Sequence, residues 1–309
     1  MSRIVVIGSI NTDLVVRSAR IPLPGQTLMG HSFTTTGGGK GANQAVAAAR
    51  LGGDVSLIGR IGSDAFGELS IESLTKEKIS TRNIYRDSTA ASGVAFIVVD
   101  DSGENIIVVA PGANAALNEK DIQDAEDVIK TAGIILFQLE IPIRTVAEGI
   151  KLAKKHNRTV ILNPAPAASI PEELLHLVDI ITPNQTEALT LTGIAVNDAA
   201  TAQQACNVLH GMRVSTVIIT MGDQGAYISS DSYKGLVAGF NAGAVVDTVA
   251  AGDTFCGGLA IAIAEGKSLQ QAVQFANAAA ALSVTKAGAQ TSIPARAEVI
   301  NLLKDALPC

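Results

Sequence analysis

The chain has 309 residues, 47% hydrophobic and 17% charged, with 29 Gly and 10 Pro; this is a globular composition, long enough for one large or two ordinary domains, and it excludes disordered and fibrous classes. Lys and Arg total 23 against 29 Asp and Glu, a net charge of −6, which argues against a partner that is nucleic acid or an anionic membrane. No apolar run reaches the ~18 residues of a membrane span, and Cys206, Cys256 and Cys309 form neither a C-x-x-C pair nor a disulfide framework, so a cytoplasmic, reducing location is expected.

The opening stretch, Met1–Gly8, is too short for the apolar part of a signal peptide and reads as a first strand, Ile4–Ile7. Asp13–Phe33 follows, holding Pro22-Leu23-Pro24-Gly25 and little helical pattern. An Ala-rich helix over Asn43–Leu51 stops at Gly52-Gly53, and Val55–Ile58 is the next strand. Ala95–Val99 and Ile106–Val109 flank a Gly-containing loop and predict a hairpin. This hairpin and Asp13–Phe33 are either a small β subdomain, a lid, or edge strands of the main sheet. Asn118 can cap a helix running to about Lys130. Strands Ile134–Phe137, Thr159–Leu162, Ile180–Thr182 and Val217–Thr220 then alternate with helical patterns at Ile143–His156 and Pro171–Leu177. A last apolar helix, Thr254–Ala264, ends at Gly266. Val/Ile-rich runs alternating with helices predict an α/β fold with a mostly parallel sheet and right-handed crossovers.

Several familiar motifs are missing. There is no G-x-x-x-x-G-K-[ST], no G-x-G-x-x-G after the first strand and no G-x-S-x-G. His31, His156, His176 and His210 lack metal-ligand spacing and read as solvated surface residues.

Two glycine-rich stretches carry the chemistry. In Asp247-Thr248-Val249-Ala250-Ala251-Gly252-Asp253-Thr254-Phe255, small residues run into a helix and leave its N–H groups open, which makes an anion site. Asp253 at its mouth can accept a proton from a hydroxyl that attacks a bound phosphate, or can simply cap the helix. Gly37-Gly38-Gly39-Lys40-Gly41-Ala42-Asn43-Gln44 allows close backbone approach, and fits a phosphate loop, a polyol pocket or a turn into the next helix. Asn11, Asp13, Glu140 and Asn184 follow strand ends, where open α/β sheets bind ligands. Together they suggest one pocket: an acceptor half with Asn11, Asp13, Lys40, Asn43 and Glu140, and a phosphate half. Thr220-Met221-Gly222-Asp223-Gln224-Gly225 can admit a nucleotide or form a tight turn.

These segments resemble, in order and over nearly the whole chain, the ribokinase family of sugar and nucleoside kinases: Gly8 to Asp13, Gly38 to Ala45, Asn184-Gln185-Thr186-Glu187, and Asp247 to Phe255. The resemblance implies a three-layer α/β/α sandwich, residues 1–12, 41–94 and 112–309, with a discontinuous β lid, 13–40 and 95–111. It implies transfer of the ATP γ-phosphoryl to O5 of D-ribose, with Asp253 as general base and Ala250, Ala251 and Gly252 as the anion hole. Asn11, Asp13, Gly39, Lys40, Asn43, Glu140 and Asp253 would hold the sugar. Asn184, Thr220, Gly222, Asp223, Gly225, Gly252 and Asn277 would face ATP, and Asn184 and Glu187 would organise Mg2+ through water. K+ would take Asp247, Val249, Ser283, Lys286, Gly288 and Ser292, largely by their carbonyls. Paired lids would give a homodimer. The sequence departs from the family pattern at Ala250, where many relatives have Gly, at Asn277, where His is found, and at Lys286, which replaces Arg. The alternatives are a kinase for 2-deoxyribose, a nucleoside or another furanose or ketose, a phosphorylated sugar contacted by Arg17 and Arg20, a dinucleotide-dependent oxidoreductase, or a silent sugar-binding regulator.

Overall fold

A computed structural model describes residues 3–305; Met1, Ser2 and Cys309 lie outside the described residues. The strands are β1 (Arg3–Ile7), β2 (Asn11–Arg17), β3 (Ser32–Gly38), β4 (Val55–Gly62), β5 (Ser80–Asp87), β6 (Gly93–Val99), β7 (Asn105–Ala110), β8 (Ala132–Phe137), β9 (Thr159–Leu162), β10 (Ile180–Ile181), β11 (Thr216–Thr220), β12 (Gly225–Ser229) and β13 (Lys234–Ala238). Nine form one sheet in the order β13-β12-β11-β10-β9-β8-β1-β4-β5. Its pairings are parallel except β11–β12 and β12–β13. The parallel strands are Val/Ile-rich because both faces are covered. Ile4 and Val6 of β1 belong to the core on the side of helices Lys40–Arg50, Ala251–Ala264 and Leu269–Ser283, whereas Val5 and Ile7 belong to the core on the side of helices Ile143–Lys155 and Ala199–Gly211. The result is the expected three-layer α/β architecture.

The second sheet, β3-β2-β6-β7, is built from the two stretches that broke the strand–helix rhythm, but it reaches beyond Asp13–Phe33 to Asn11 and Gly38. β2 pairs antiparallel to β3 and parallel to β6, and the β6–β7 hairpin forms around residues 100–104. β2 leaves β1 after only three residues, so the small sheet is rooted at the ligand-binding end of the large one.

Two details differ from expectation. Asn118 does cap a helix, with a reciprocal Asp121 bond to its backbone, but the helix ends at Asp124 and a second begins at Glu126. Ala125, at φ −95° and ψ 10°, is the break. The Pro171–Leu177 pattern yields only one turn, Glu172–Leu175.

At Gly257 the helices of the two glycine motifs lie against each other with only the Ala47 methyl group and main chain at the contact. A Cβ on Gly257 would stand 2.6 Å from Ala47 Cβ and 2.8 Å from the Ala48 nitrogen. Among the described residues no helix is long and apolar enough to cross a membrane.

Candidate active site

The carboxyl ends of β1, β8, β9, β10 and β11 lead into Ser9–Asn11, Glu140, Asn163, Asn184 and Thr220. The N-termini of helices Lys40–Arg50 and Ala251–Ala264 arrive at the same edge.

On the acceptor side, Glu140 Oε2 accepts hydrogen bonds from Ser9 Oγ (2.5 Å) and the Lys40 N–H (3.0 Å). Gly39 has φ +86°, and a Cβ there would meet the Asn11 nitrogen at 2.7 Å, so the strand-to-helix turn requires glycine. Gly38 leaves room for Asp13, whose Oδ1 lies 2.1 Å from the position of a Gly38 Cβ. Burial, with Glu140 and Asp253 nearby, pushes the Asp13 carboxyl up to about 6. Asn11 Oδ1 accepts from Asn114 Nδ2 at 2.7 Å, and Asn114 Oδ1 accepts from the Ile10 N–H at 2.8 Å. Asn114 thus holds the Asn11 segment in place. Sequence reasoning passed it over, because nothing local marks a loop asparagine that acts 103 residues away.

Asp253 is buried in the first turn of helix Ala251–Ala264 and sits between the two glycine motifs. Asn43 Nδ2 donates to its Oδ2 at 3.0 Å and Gln44 Nε2 to its Oδ1 at 3.1 Å. The helix is not capped by a side chain; Ala250 is its N-cap. Of the two readings open for Asp253, the cap therefore falls away. The Asn43 Oδ1 atom is buried without a partner.

Beside Asp253 lies a cleft of about 170 Å³ bordered by Lys40, Asn184, Glu187, Thr220, Thr248, Ala250 and Gly252. Lys40 spans the two halves: its N–H binds Glu140, while its side chain enters this cleft. The carboxylates Asp253, Glu140 and Glu187 hold the Lys40 ammonium in its charged form, Asp253 most strongly, against burial. Ala250 has φ +61°, the left-handed region, which costs a non-glycine residue roughly 1–2 kcal/mol. A Cβ on Gly252 would meet no protein atom within 4 Å. Asn184 caps helix Gln185–Thr192, and Glu187 returns both carboxylate oxygens to the Asn184 N–H (2.8 Å) and Nδ2 (3.0 Å). Burial raises the Glu187 carboxyl.

Thr220 bridges to Asn184 at the sheet edge. Gly222 (φ +62°) and Gly225 (φ +101°) bracket a short 3-10 turn that exposes Asp223. Asn277 is buried and donates to the Val237 and Ala238 carbonyls at 3.0 and 3.1 Å, joining its helix to β13.

The loop before the anion-site helix meets the 283–292 loop through Asp247. Its Oδ1 accepts from the Val249 N–H (3.0 Å) and its Oδ2 from the Gly288 N–H (2.8 Å). Lys286 turns its ammonium to Glu298 at 2.7 Å, which leaves only its carbonyl for the loop interior. Ser283 and Ser292 are fully buried here. The described residues hold no group of three His, Cys, Asp or Glu able to bind a metal. Both Glu187 carboxylate oxygens are engaged by Asn184, and the Asp247 to Gly288 bond ties the loop before the anion-site helix to the 283–292 loop.

A family model described as "pfkB family carbohydrate kinase" matches residues 1–296. The chain is 46% identical over 301 residues to the ribokinase of Haemophilus influenzae, covering 97% of this chain and 98% of that one. It is 36% identical over 292 residues to the deoxyribokinase of Salmonella typhi, covering 94% and 95%. Among solved structures it is similar to Arabidopsis thaliana ribokinase complexed with ribose and ATP, with a TM-score of 0.93 at 36% identity over 98% of this chain and 99% of that one. Glycine motifs at two adjoining helix starts, a buried aspartate between them and whole-length similarity converge: the chain belongs to the pfkB family of carbohydrate kinases.

Proposed function

We propose that this protein phosphorylates D-ribose at O5 with ATP, giving D-ribose 5-phosphate and ADP. The observation that carries this reading is Asp253: a buried carboxylate at an open helix N-terminus, wedged between the acceptor residues and the phosphate cleft. The 46% identity to a ribokinase, against 36% to a deoxyribokinase, favours ribose over 2-deoxyribose.

Asn11, Asp13, Gly39, Asn43 and Glu140 bind the sugar hydroxyls, and the unpartnered Asn43 Oδ1 supports a hydroxyl donor there. Asp253 takes the O5 proton as that oxygen bonds to the γ-phosphorus and the bond to the β-phosphate oxygen breaks. The N–H groups of Ala250, Ala251 and Gly252 stabilise the charge that develops on the phosphoryl oxygens. Lys40 adds its ammonium to the same cleft. Asn184, Thr220, Gly222, Asp223, Gly225 and Asn277 border the nucleotide. Mg2+, organised by Asn184 and Glu187 through water, neutralises phosphate charge when bound. The Asp247–Val249 and Ser283–Ser292 loops would hold K+, largely by their carbonyls, and the ion would offset negative charge in the site when bound.

The small sheet, residues 13–40 and 95–111, acts as a lid that excludes water from the site. One face carries Asn11 and Asp13. The other aligns Leu14 with Phe96 and Val108, and Val16 with Phe33, Val98 and Ile106. Phe33 and Val108 are 62% exposed and Phe96 is 53% exposed, an apolar face that suits a second copy of this lid. We assign the cytoplasm as compartment, in keeping with the free Cys206 and Cys256.

The test is ADP release from MgATP with a panel of sugars in K+ and Na+ buffers. Ribose-dependent turnover, enhanced by K+ and reduced about 10²–10⁴-fold in Asp253→Asn, is expected. Turnover with another sugar alone would reassign the acceptor, and undiminished turnover in Asp253→Asn would remove the base.

A further inference from the structure

We propose that Gln44 is a positioning residue for phosphoryl transfer, holding the Asp253 carboxylate in the orientation from which it takes the hydroxyl proton. The proposal rests on the reading of Asp253 as the base.

Gln44 is fully buried and cannot touch a substrate. Its Nε2 donates to Asp253 Oδ1 and to Asn163 Oδ1, each at 3.1 Å, and its Oε1 accepts from Gln138 Nε2 at 2.6 Å. An ionised carboxylate can only accept, so the amide has one workable orientation, with Nε2 toward Asp253. Both protons on that nitrogen are used. Asn163 is held in turn by its Nδ2 bond to the Thr182 carbonyl at 3.0 Å.

The relay therefore draws on helix Lys40–Arg50 and on the residues that follow β8, β9 and β10, three adjoining strands of the large sheet. It fixes Oδ1. Oδ2, which faces the acceptor side through Asn43, remains to take the proton. A carboxylate on a first helical turn otherwise rotates about two side-chain bonds, and misplacing a reacting group by about 1 Å can cost 10²-fold in rate.

A Gln44 that served only to fill the core would change stability and leave turnover alone. The test is a double-mutant cycle of Gln44→Met and Asp253→Asn, read as kcat and KM for ribose under saturating MgATP. Methionine keeps the length of the side chain and removes the hydrogen bonds. Gln44→Met should lower kcat about 10–100-fold with KM for ribose within about 3-fold. In the Asp253→Asn background the same change should alter kcat by less than about 2-fold, since no base remains to orient. Gln138→Met leaves the bonds to Asp253 in place but frees Gln44 Oε1; it should lower kcat in the same direction by a smaller factor, and it carries the test if Gln44→Met does not fold. Wild-type kcat in both single variants, or an equal loss on either side of the cycle, overturns the proposal. Wild-type kcat in Asp253→Asn instead overturns the base assignment beneath it.

Discussion

The side-chain oxygen of Gln290 lies 2.3 Å from where a Cβ on Gly37 would stand. Gly37 is the last but one residue of β3, and Gln290 belongs to the loop that also carries Gly288 and Ser292. Arg50, in the last turn of helix Lys40–Arg50, grips this loop by donating to the Gln290 and Ile293 carbonyls at 2.7 and 2.8 Å. Gly37, the first glycine of that stretch and without a role in the sequence reading, is thus the contact between the base of the small sheet and the 283–292 loop.

Gly37→Ala should destabilise by about 1 kcal/mol, the low end for overpacking, because a glutamine amide can swing aside. Gln290→Ala clears that space. Urea unfolding of both single variants and the double variant should show the Gly37→Ala penalty shrinking once Gln290 is truncated. Strict additivity would mean that the contact carries no energy.

Gly252→Ala separates folding from turnover. A Cβ there meets no protein atom within 4 Å, and alanine is favoured over glycine within a helix by about 0.5–1 kcal/mol. Tm should hold or rise. On the proposed function the methyl group enters the cleft that takes the transferred phosphoryl group, so kcat should fall, by up to roughly 10²-fold. A variant as active as the parent would move the phosphoryl group away from this helix.

Ribose affinity should depend on pH through Asp13. Its carboxyl, raised to about 6 in the folded protein, is protonated below that value and ionised above it. Sugar hydroxyls donate to the ionised form, so Kd for ribose should weaken as pH falls through 6 and level off above it. The stability term has its own sign. Between the ordinary value of 3.8 and about 6 the folded state binds more protons than the unfolded one, so this group's contribution falls as pH rises through that window. Calorimetric titrations between pH 5 and 8 should show the slope in the parent and lose it in Asp13→Asn.

Val108→Lys, alone or with Phe96→Asp, should yield a monomer in sedimentation experiments. Both side chains lie on the exposed apolar face, opposite Asp13, so the folded chain should survive the change. A parent that sediments as a monomer at all concentrations would end the paired-lid proposal.

Much of the architecture was legible in the sequence because it is locally encoded. β9 falls where the Thr159–Leu162 run places it, and Asn184 caps the helix it precedes. Pattern alone missed the helix break at Ala125, since alanine is the best helix former and carries no local stop signal. β12, β13 and helix Leu269–Ser283 went unread; past Asn277 the helix is a run of alanine with no polar residue until Ser283, so its apolar and polar sides are marked only in its first half. In the site, Asp253, Asn43 and Glu140 were visible as polar residues beside glycine or strand ends. Asn114, Gln138, Asn163 and Gln290 were not, because each acts through partners roughly 100 or more residues away.

The bare contact at Gly257 has a consequence for how such a protein can change. Asn43 and Asp253 stand on two helices whose separation is set by main chain and methyl groups. At Gly257 no larger side chain fits without meeting Ala47 or the Ala48 main chain. On the proposed function, the span between a bound hydroxyl and the group it attacks is therefore set largely by the scaffold. Divergence toward a new acceptor has to come from the other wall of the pocket, the small sheet, where Asp13 and its neighbours can vary while the ruler beneath them stays the same.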